Sequence, residues 1–390
     1  MRILVALLLM MAPSGPLHAL TPEPSKCLKA IHSLCDPVLN ANTIANPKSR
    51  KKYKYLNFAN ALIRGRIAHN TPFVRVIPTD LCNLKCSYCF QRSDDPFQMS
   101  KEQFSAYLKK AKEHHIGMMT FLGGEPMIWP HLDYAIAEAT RANVITDITT
   151  NGTRLNAESV DRLGRAGLDF LNISVDGLTT TEVSSKTSVV VKKELLDHLK
   201  KAKEKYGMQF RVNSVIHKNN FEEIKQLIEF SKEHEVPISL GYVVPHSHGD
   251  HIADPAMYFT KDDTAQLNEI ISHIIAKKRA GYPIIDPEEY FTGMHKFLKR
   301  ENFWSCNYPT RYGWVNITPR GEIRSCTKKM DVMPGFTFLG LTQTKIKALK
   351  ETLEPMVKTC NKNCYSNCAF DSYFYRTHKV EAMKKLLGIR

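Results

Sequence analysis

Three cysteines within eight residues, Cys82, Cys86 and Cys89, are the part of this chain best suited to chemistry. Soft thiolates at the spacing CxxxCxxC suit an iron–sulfur cluster or zinc. Three ligands are one fewer than a closed four-thiolate site requires, and an iron left open can bind a substrate or cofactor. Zinc remains the plainer alternative at this point, because CxxxC and CxxC are also zinc-ligand spacings.

The elements that must position these thiols are legible as an alternation. The run at 73–77, just ahead of the cysteines, is apolar and reads as a buried strand. Further strand-like runs follow at 118–122, 144–150, 170–175, 210–216 and 238–244, and amphipathic helical runs at 101–115, 133–143, 157–166 and 221–235 separate most of them. About six βα units predict an α/β fold built on a parallel sheet or open barrel. In such folds the ligand site lies beyond the carboxyl ends of the strands.

Polar signals fall at those ends. The second strand runs into Gly123, Gly124, Glu125 and Pro126, the third into Asn151 and Gly152, and the fourth into Ser174, Asp176 and Gly177. Glycines let a backbone approach a ligand closely, and a carboxylate can accept from an ammonium. Each segment taken singly reads as a turn. Their order at consecutive strand ends, downstream of the cysteines, is what singles them out.

The combination resembles the radical S-adenosylmethionine (SAM) superfamily, whose hallmark is CxxxCxxC with an aromatic residue before the last cysteine, here Tyr88. The resemblance implies a partial (β/α)6 TIM-like barrel and a 4Fe–4S cluster on Cys82, Cys86 and Cys89. SAM would chelate the fourth iron, and its reductive cleavage would give a 5′-deoxyadenosyl radical that abstracts a substrate hydrogen. It also implies SAM contacts from Tyr88, the GGEP residues Gly123, Gly124 and Glu125, the TNG residue Asn151, and Ser174 and Asp176. Asn213 and Val244 stand where relatives touch ribose or adenine. An electron donor such as a flavodoxin or ferredoxin is the implied partner.

A second cysteine group comprises Cys306, Cys326, Cys360, Cys364 and Cys368. The stretch 314–325 reads as a hairpin with its turn at Pro319 to Gly321. Cys306 with Gly321 and Cys326 is similar to the opening of the SPASM and twitch auxiliary-cluster domains. A full SPASM domain has seven cysteines where this chain has five, so the resemblance implies one auxiliary 4Fe–4S cluster on Cys306, Cys326 and two of the last three. A structural zinc is the alternative.

The chain of 390 residues, 43% of them apolar, can bury a large core plus a smaller domain, and no stretch is apolar for long enough to cross a bilayer. Residues 1–20 look like a signal peptide, with Arg2 followed by ten apolar residues. A cluster protein belongs in a reducing compartment, and the expectation is a cytoplasmic protein, with a misassigned start, a membrane-associating leader and genuine export as the competing explanations of this segment. A net charge of +15 invites a nucleic-acid reading, with Lys51 and Lys52 in its densest basic patch. Most lysines fall on helix surfaces, however, and an acidic peptide or an anionic small molecule suits the charge as well. The histidine-rich loop at 245–251 is the best sequence-level candidate for substrate contact.

These readings divide the chain into a leader (1–20), a helical extension (21–69), the barrel (70–250), a helical bridge (251–302) and a small cysteine-rich α+β auxiliary domain (303–390). Because auxiliary-cluster domains most often accompany peptide or protein modification, a peptide is the expected substrate. A small molecule such as a purine nucleotide or an aminoglycoside-type alcohol is the alternative, and RNA modification is less favoured. A zinc-binding or electron-transfer protein would have no use for the glycine and Ser-x-Asp-Gly motifs.

Overall fold

In the computed structural model the described residues are 47–67, 71–89, 96–179, 184, 186, 193–243, 247–248, 251–252, 254–299, 301, 315–324, 332–360 and 365–378. The leader, with most of the helical extension, lies outside them. Helix α1 (Pro47–Ile67) leads into six strands: β1 (Phe73–Val76), β2 (Met118–Phe121), β3 (Ile145–Thr150), β4 (Phe170–Ser174), β5 (Gln209–Ile216) and β6 (Ile238–Tyr242). Between them run α2 (Lys101–Glu113), α3 (Leu132–Arg141), α4 (Ala157–Ala166) and α5 (Lys193–Tyr206), and α6 (Phe221–Glu233) connects β5 to β6. Every neighbouring pair from β1 to β6 is parallel. This is the open βα barrel that the alternation predicts.

Local chemistry sets the helix ends. Ser100 caps α2 in a reciprocal box with Gln103, and Asn156 does the same for α4 with Ser159. Gly167 ends α4 at φ 96°, a left-handed position natural to glycine. The strands bury one side completely: Val74, Val76, Met119, Phe121, Ile148 and Leu171 are 0% exposed and pack under the helices. The opposite side is polar, with Arg75, Thr120 and Asn172 on β1, β2 and β4, and β5 alternates strictly between partly accessible and buried positions. A face that is polar and partly open inside a barrel is a lumen, not a packed core.

The sheet does not stop at six strands. After β7 (Ser247–His248), β8 (His251–Ile252), α7 (Thr264–Arg279) and α8 (Glu288–Leu298), the chain returns as β9 (Val315–Ile317), β10 (Glu322–Arg324) and β11 (Val332–Thr337). The β9–β10 pair is antiparallel around the anticipated turn, with Gly321 at φ 85°. Strand β9 lies parallel to β1, so the order is β11-β10-β9-β1-β2-β3-β4-β5-β6. The hairpin placed with the auxiliary domain therefore extends the barrel's own sheet. Two closing helices, α9 (Gln343–Cys360) and α10 (Asn367–Thr377), follow. No helix among the described residues is long and apolar enough to cross a membrane.

Candidate active site

The cysteine loop leaves the carboxyl end of β1 and is held from beneath by the GGEP turn. Gly124 N–H donates to the Thr79 carbonyl at 3.0 Å, and Glu125 N–H to the Leu81 carbonyl at 2.7 Å. A Cβ on Gly124 would lie 1.9 Å from the Leu81 oxygen. The close approach this glycine permits is to the cysteine loop itself.

Glu125 is 1% exposed, and its carboxylate accepts from Met127 N–H at 2.9 Å, Thr150 Oγ1 at 2.6 Å and Asn151 N–H at 2.7 Å. Burial pushes its pKa up and those three donors oppose the shift. A carboxylate has about four acceptor sites, so room for one more donor remains. Asn151 is the next clamp: its Nδ2 donates to Asn83 Oδ1 at 2.9 Å and points at Cys82 Sγ at 3.9 Å. Asn83 Nδ2 in turn donates to Thr153 Oγ1 at 2.8 Å. The second and third strand ends thus grip the loop on either side of Cys82.

The fourth strand end reaches Tyr88. The Tyr88 hydroxyl donates to Asp176, which also accepts from Ser184 Oγ at 2.7 Å and from Val215 N–H at 3.3 Å. Ser184 Oγ lies 3.8 Å from Cys86 Sγ, and Lys186 Nζ is 2.8 Å from the Tyr88 oxygen. Burial, followed by Asp176, drives the Tyr88 pKa up. Burial acts to lower the Lys186 pKa, but Tyr88 and Asp176 outweigh it and the ammonium is held well above its ordinary value. The pocket therefore contains a carboxylate, a phenol and an ammonium beside two of the three thiols.

Cys82, Cys86 and Cys89 are partly exposed and in no disulfide. Burial raises the Cys82 thiol pKa, and Glu125, Cys89 and Cys86 add to the shift. Among the described residues no three His, Cys, Asp or Glu side chains are set closely enough for a single metal ion. A cubane spreads its thiolates over three separate irons, and three thiols on one short loop supply that number.

Residues 76–252 match the Radical SAM superfamily. This is a radical SAM domain. A GTP 3′,8-cyclase of Clostridium botulinum is 26% identical over 296 residues, covering 72% of this chain and 89% of the cyclase. A probable GTP 3′,8-cyclase of Metallosphaera sedula is 33% identical over 165 residues, 41% of this chain and 51% of that protein. Among solved structures, Streptococcus suis SuiB bound to S-adenosylmethionine superposes with a TM-score of 0.52 at 19% identity, covering 77% of this chain and 70% of SuiB. Native anSMEcpe with bound AdoMet gives 0.51 at 17%, covering 78% and 87%. The protein is an enzyme that carries a radical SAM domain over residues 76–252 and uses a 4Fe–4S cluster and SAM.

Within the radical SAM domain, Tyr88, Gly123, Gly124, Glu125, Asn151 and Asp176 converge on the cysteine loop. Ser174 and Asn213 sit beside one another on β4 and β5, and Val244 lies outside the described residues. So do Cys306, Cys326 and Cys364. The backbone puts Cys360 at the end of α9 and Cys368 near the start of α10. Of the histidine-rich loop, only the backbone of β7 and β8 is described, as a short antiparallel ladder.

Several contributors carry no sequence signal of their own. Asn83 fills an unspecified position of the cysteine motif, and Ser184 and Lys186 belong to no motif and join the radical SAM site only through tertiary contacts. Met257, 1% exposed, packs with Tyr88, Val243 and Cys86, and its sulfur accepts from Ser87 Oγ at 3.5 Å. It comes from the bridge segment, where the sequence shows no motif.

Proposed function

We propose that this radical SAM enzyme takes hydrogen from a small anionic molecule, with a purine nucleotide as the leading candidate, and returns a rearranged or cyclised product. The observation that carries this reading is the alignment with the C. botulinum GTP 3′,8-cyclase, which spans 89% of that protein. The net charge of +15 is consistent with an anionic substrate and with an acidic one-electron donor of flavodoxin or ferredoxin type. Likeness to SuiB and anSMEcpe at 19% and 17% identity concerns the fold. The peptide expected from the auxiliary domain thus has less support than the small molecule.

Cys82, Cys86 and Cys89 would hold the cluster. Glu125 would take the amino group of SAM in its remaining acceptor position, and Asp176 and Ser174 would face the ribose and carboxylate. Asn213 and Val244 would border the nucleoside. When bound, the cluster and SAM supply the reductive cleavage that makes a primary carbon radical. The protein's own share is to hold the loop, keep the Tyr88–Asp176–Lys186 network in place and orient the substrate. We further assign one auxiliary 4Fe–4S cluster to Cys306, Cys326 and two of Cys360, Cys364 and Cys368. We also assign residues 303–390 as its domain and a reducing, cytoplasmic setting.

The test is anaerobic iron analysis and EPR with and without SAM, followed by 5′-deoxyadenosine formation with candidate substrates under reduction. Wild type is expected to hold about eight irons and the Cys82/Cys86/Cys89 triple-alanine variant about four, with a SAM-perturbed signal in wild type alone. Purine nucleotides should raise 5′-deoxyadenosine formation well above the substrate-free rate. Stimulation by peptides with none by nucleotides would overturn the substrate assignment.

A further inference from the structure

Helix α1 lies across the amino ends of the barrel strands, opposite the cysteine loop. Its contacts step in order along the segments that enter those strands. Asn57 Nδ2 donates to the Asn143 carbonyl ahead of β3 at 2.9 Å, and Lys54 Nζ to the Gly167 carbonyl ahead of β4 at 3.0 Å. Arg50 Nη2 donates to the Tyr206 carbonyl ahead of β5 at 2.9 Å. Ahead of β2, a Cβ on Gly117 would lie 2.7 Å from Phe58 Cα and 2.9 Å from Ala61 Cβ. One side of the helix, taken in steps of three or four residues, thus spans four strand entries.

The other side of α1 faces away from the barrel and is basic. The helix has no acidic residue, Lys52 is exposed, and Lys51 is half-buried with its ammonium 5.8 Å over the Tyr55 ring. Pro47 lies beside Gly207, and Arg50 holds Tyr206, so the start of α1 adjoins the end of α5. That end carries Lys201, Lys203 and Lys205, all exposed, with Glu204 among them. Asp161 of α4 takes Lys205 at 3.3 Å and Arg165 at 3.0 Å. Lys52, Lys201 and Lys203 make no ion pair with the described residues.

These cations stand at the wrong end of the barrel for the reaction. A small anionic substrate, an RNA substrate and an acidic electron donor must all reach the cluster loop, at the carboxyl ends of the strands. A lipid bilayer needs no route to that loop. Residues 1–46 join the described fold at Pro47, on this face, and their sequence holds the apolar run 3–12 behind Arg2. One hydrophobic anchor binds a membrane only marginally, and a polybasic patch supplies the second signal for stable attachment. The anionic lipids of a cytoplasmic leaflet attract such a patch.

We propose that the face formed by Lys51 and Lys52 of α1 with Lys201 and Lys203 of α5 docks on an anionic lipid bilayer and turns the mouth of the barrel toward the aqueous side. The apolar run then anchors the same face. A signal-like leader and a cluster that needs a reducing compartment no longer conflict, because the leader attaches the protein without exporting it. The proposal is independent of which substrate the enzyme takes.

The experiment is flotation of the reconstituted full chain with vesicles of phosphatidylcholine, alone or with about 30% phosphatidylglycerol. Wild type is compared with the Lys52→Glu/Lys201→Glu/Lys203→Glu variant, changed at exposed positions. Circular dichroism and the SAM-perturbed EPR signal check that its fold and cluster are kept. Wild type should bind the anionic vesicles at least about tenfold more tightly than the neutral ones and be released between roughly 0.1 and 0.5 M salt. The variant should lose more than about tenfold on anionic vesicles and nothing on neutral ones. Equal binding of wild type to both vesicles, or a folded variant that binds anionic vesicles as wild type does, would overturn the proposal. So would a wild type that ignores vesicles but binds single-stranded RNA through these lysines, which would assign the face to nucleic acid.

Discussion

Gly124 shows how one missing atom supports the whole site. With a Cβ only 1.9 Å from the Leu81 carbonyl oxygen, any side chain here must push the cysteine loop away from the GGEP turn. Gly124→Ala is expected to cost roughly 1–3 kcal/mol of stability and to lower iron incorporation far more than its melting temperature implies. Wild-type iron content in the purified variant would show that the loop is not positioned by this contact. Asp147 gives a second test at the same scale. Its pKa is about 6 in the folded protein against an ordinary 3.8, so between those values the folded state binds more protons than the unfolded one. Stability therefore falls as pH rises from about 4 to 6, by on the order of 2 kcal/mol for this group. Denaturant titrations at pH 4.5 and 7 should show a smaller fall for Asp147→Asn than for wild type. An equal fall would mean that Asp147 is not held in a disfavoured charged state.

Helix α1 precedes the barrel, and two buried cations bind it there: Arg50, which donates to the Tyr206 carbonyl at 2.9 Å, and Lys54. Lys54 is 1% exposed, and its ammonium donates to Asp169 at 2.5 Å, the Gly167 carbonyl at 3.0 Å and Thr140 Oγ1 at 3.1 Å. Burial lowers the Lys54 pKa and Asp169 opposes that shift. A buried pair is weak evidence of net stabilisation, but removing one partner leaves the other uncompensated. Lys54→Ala is expected to destabilise the protein by about 3 kcal/mol, read as a shift in urea midpoint with an unchanged slope. A change below about 0.5 kcal/mol would place the pair with ordinary surface salt bridges. The bridge segment near Met257 acts comparably at the other end of the barrel. Lys218 pairs with Asp263 at 2.8 Å, and Lys218 N–H donates to the Met257 carbonyl at 3.4 Å. Together these contacts hold the thioether against Tyr88.

At the scale of the molecule, the C-terminal hairpin and the barrel share one sheet. Strand β9 satisfies the outer edge of β1, whose Val74 and Val76 are 0% exposed. Ending the chain near residue 300 would turn β1 into an open edge beside apolar surface, which favours pairing with other chains. The shortened protein is expected to aggregate in light scattering, whereas a monodisperse monomer with a full N-terminal cluster would show that β1 needs no cover. The far edge is held by different means. Asp286 accepts from Leu240 N–H at 2.7 Å, Asn367 Oδ1 accepts from the Tyr290 hydroxyl at 2.8 Å, and Tyr290 stacks on Tyr365 with centroids 5.2 Å apart. These contacts bring the start of α10, where Cys368 stands, to the β6 side of the barrel.

The cysteine spacing, the order of the strand-end motifs and the βα alternation were all legible in the amino-acid sequence. Each is a local pattern, set by the period of a helix or strand and by the few residues a turn accepts. The cluster loop, the GGEP and TNG turns, Ser174 and Asp176 could therefore be named before any contact was known. Pairing across distance had no such signature. That β9 lies beside β1, that Lys186 reaches Tyr88, that Met257 covers the loop, and that α1 crosses the entries of β2 to β5 depend on strand register. Register is set by how whole apolar faces pack, and no single window of sequence contains it. The sequence by itself determined which chemistry the protein carries out, because thiolate count and turn residues are properties of short segments. Only the tertiary structure decided what that chemistry faces, because the lumen is lined by single residues from strands far apart in the chain.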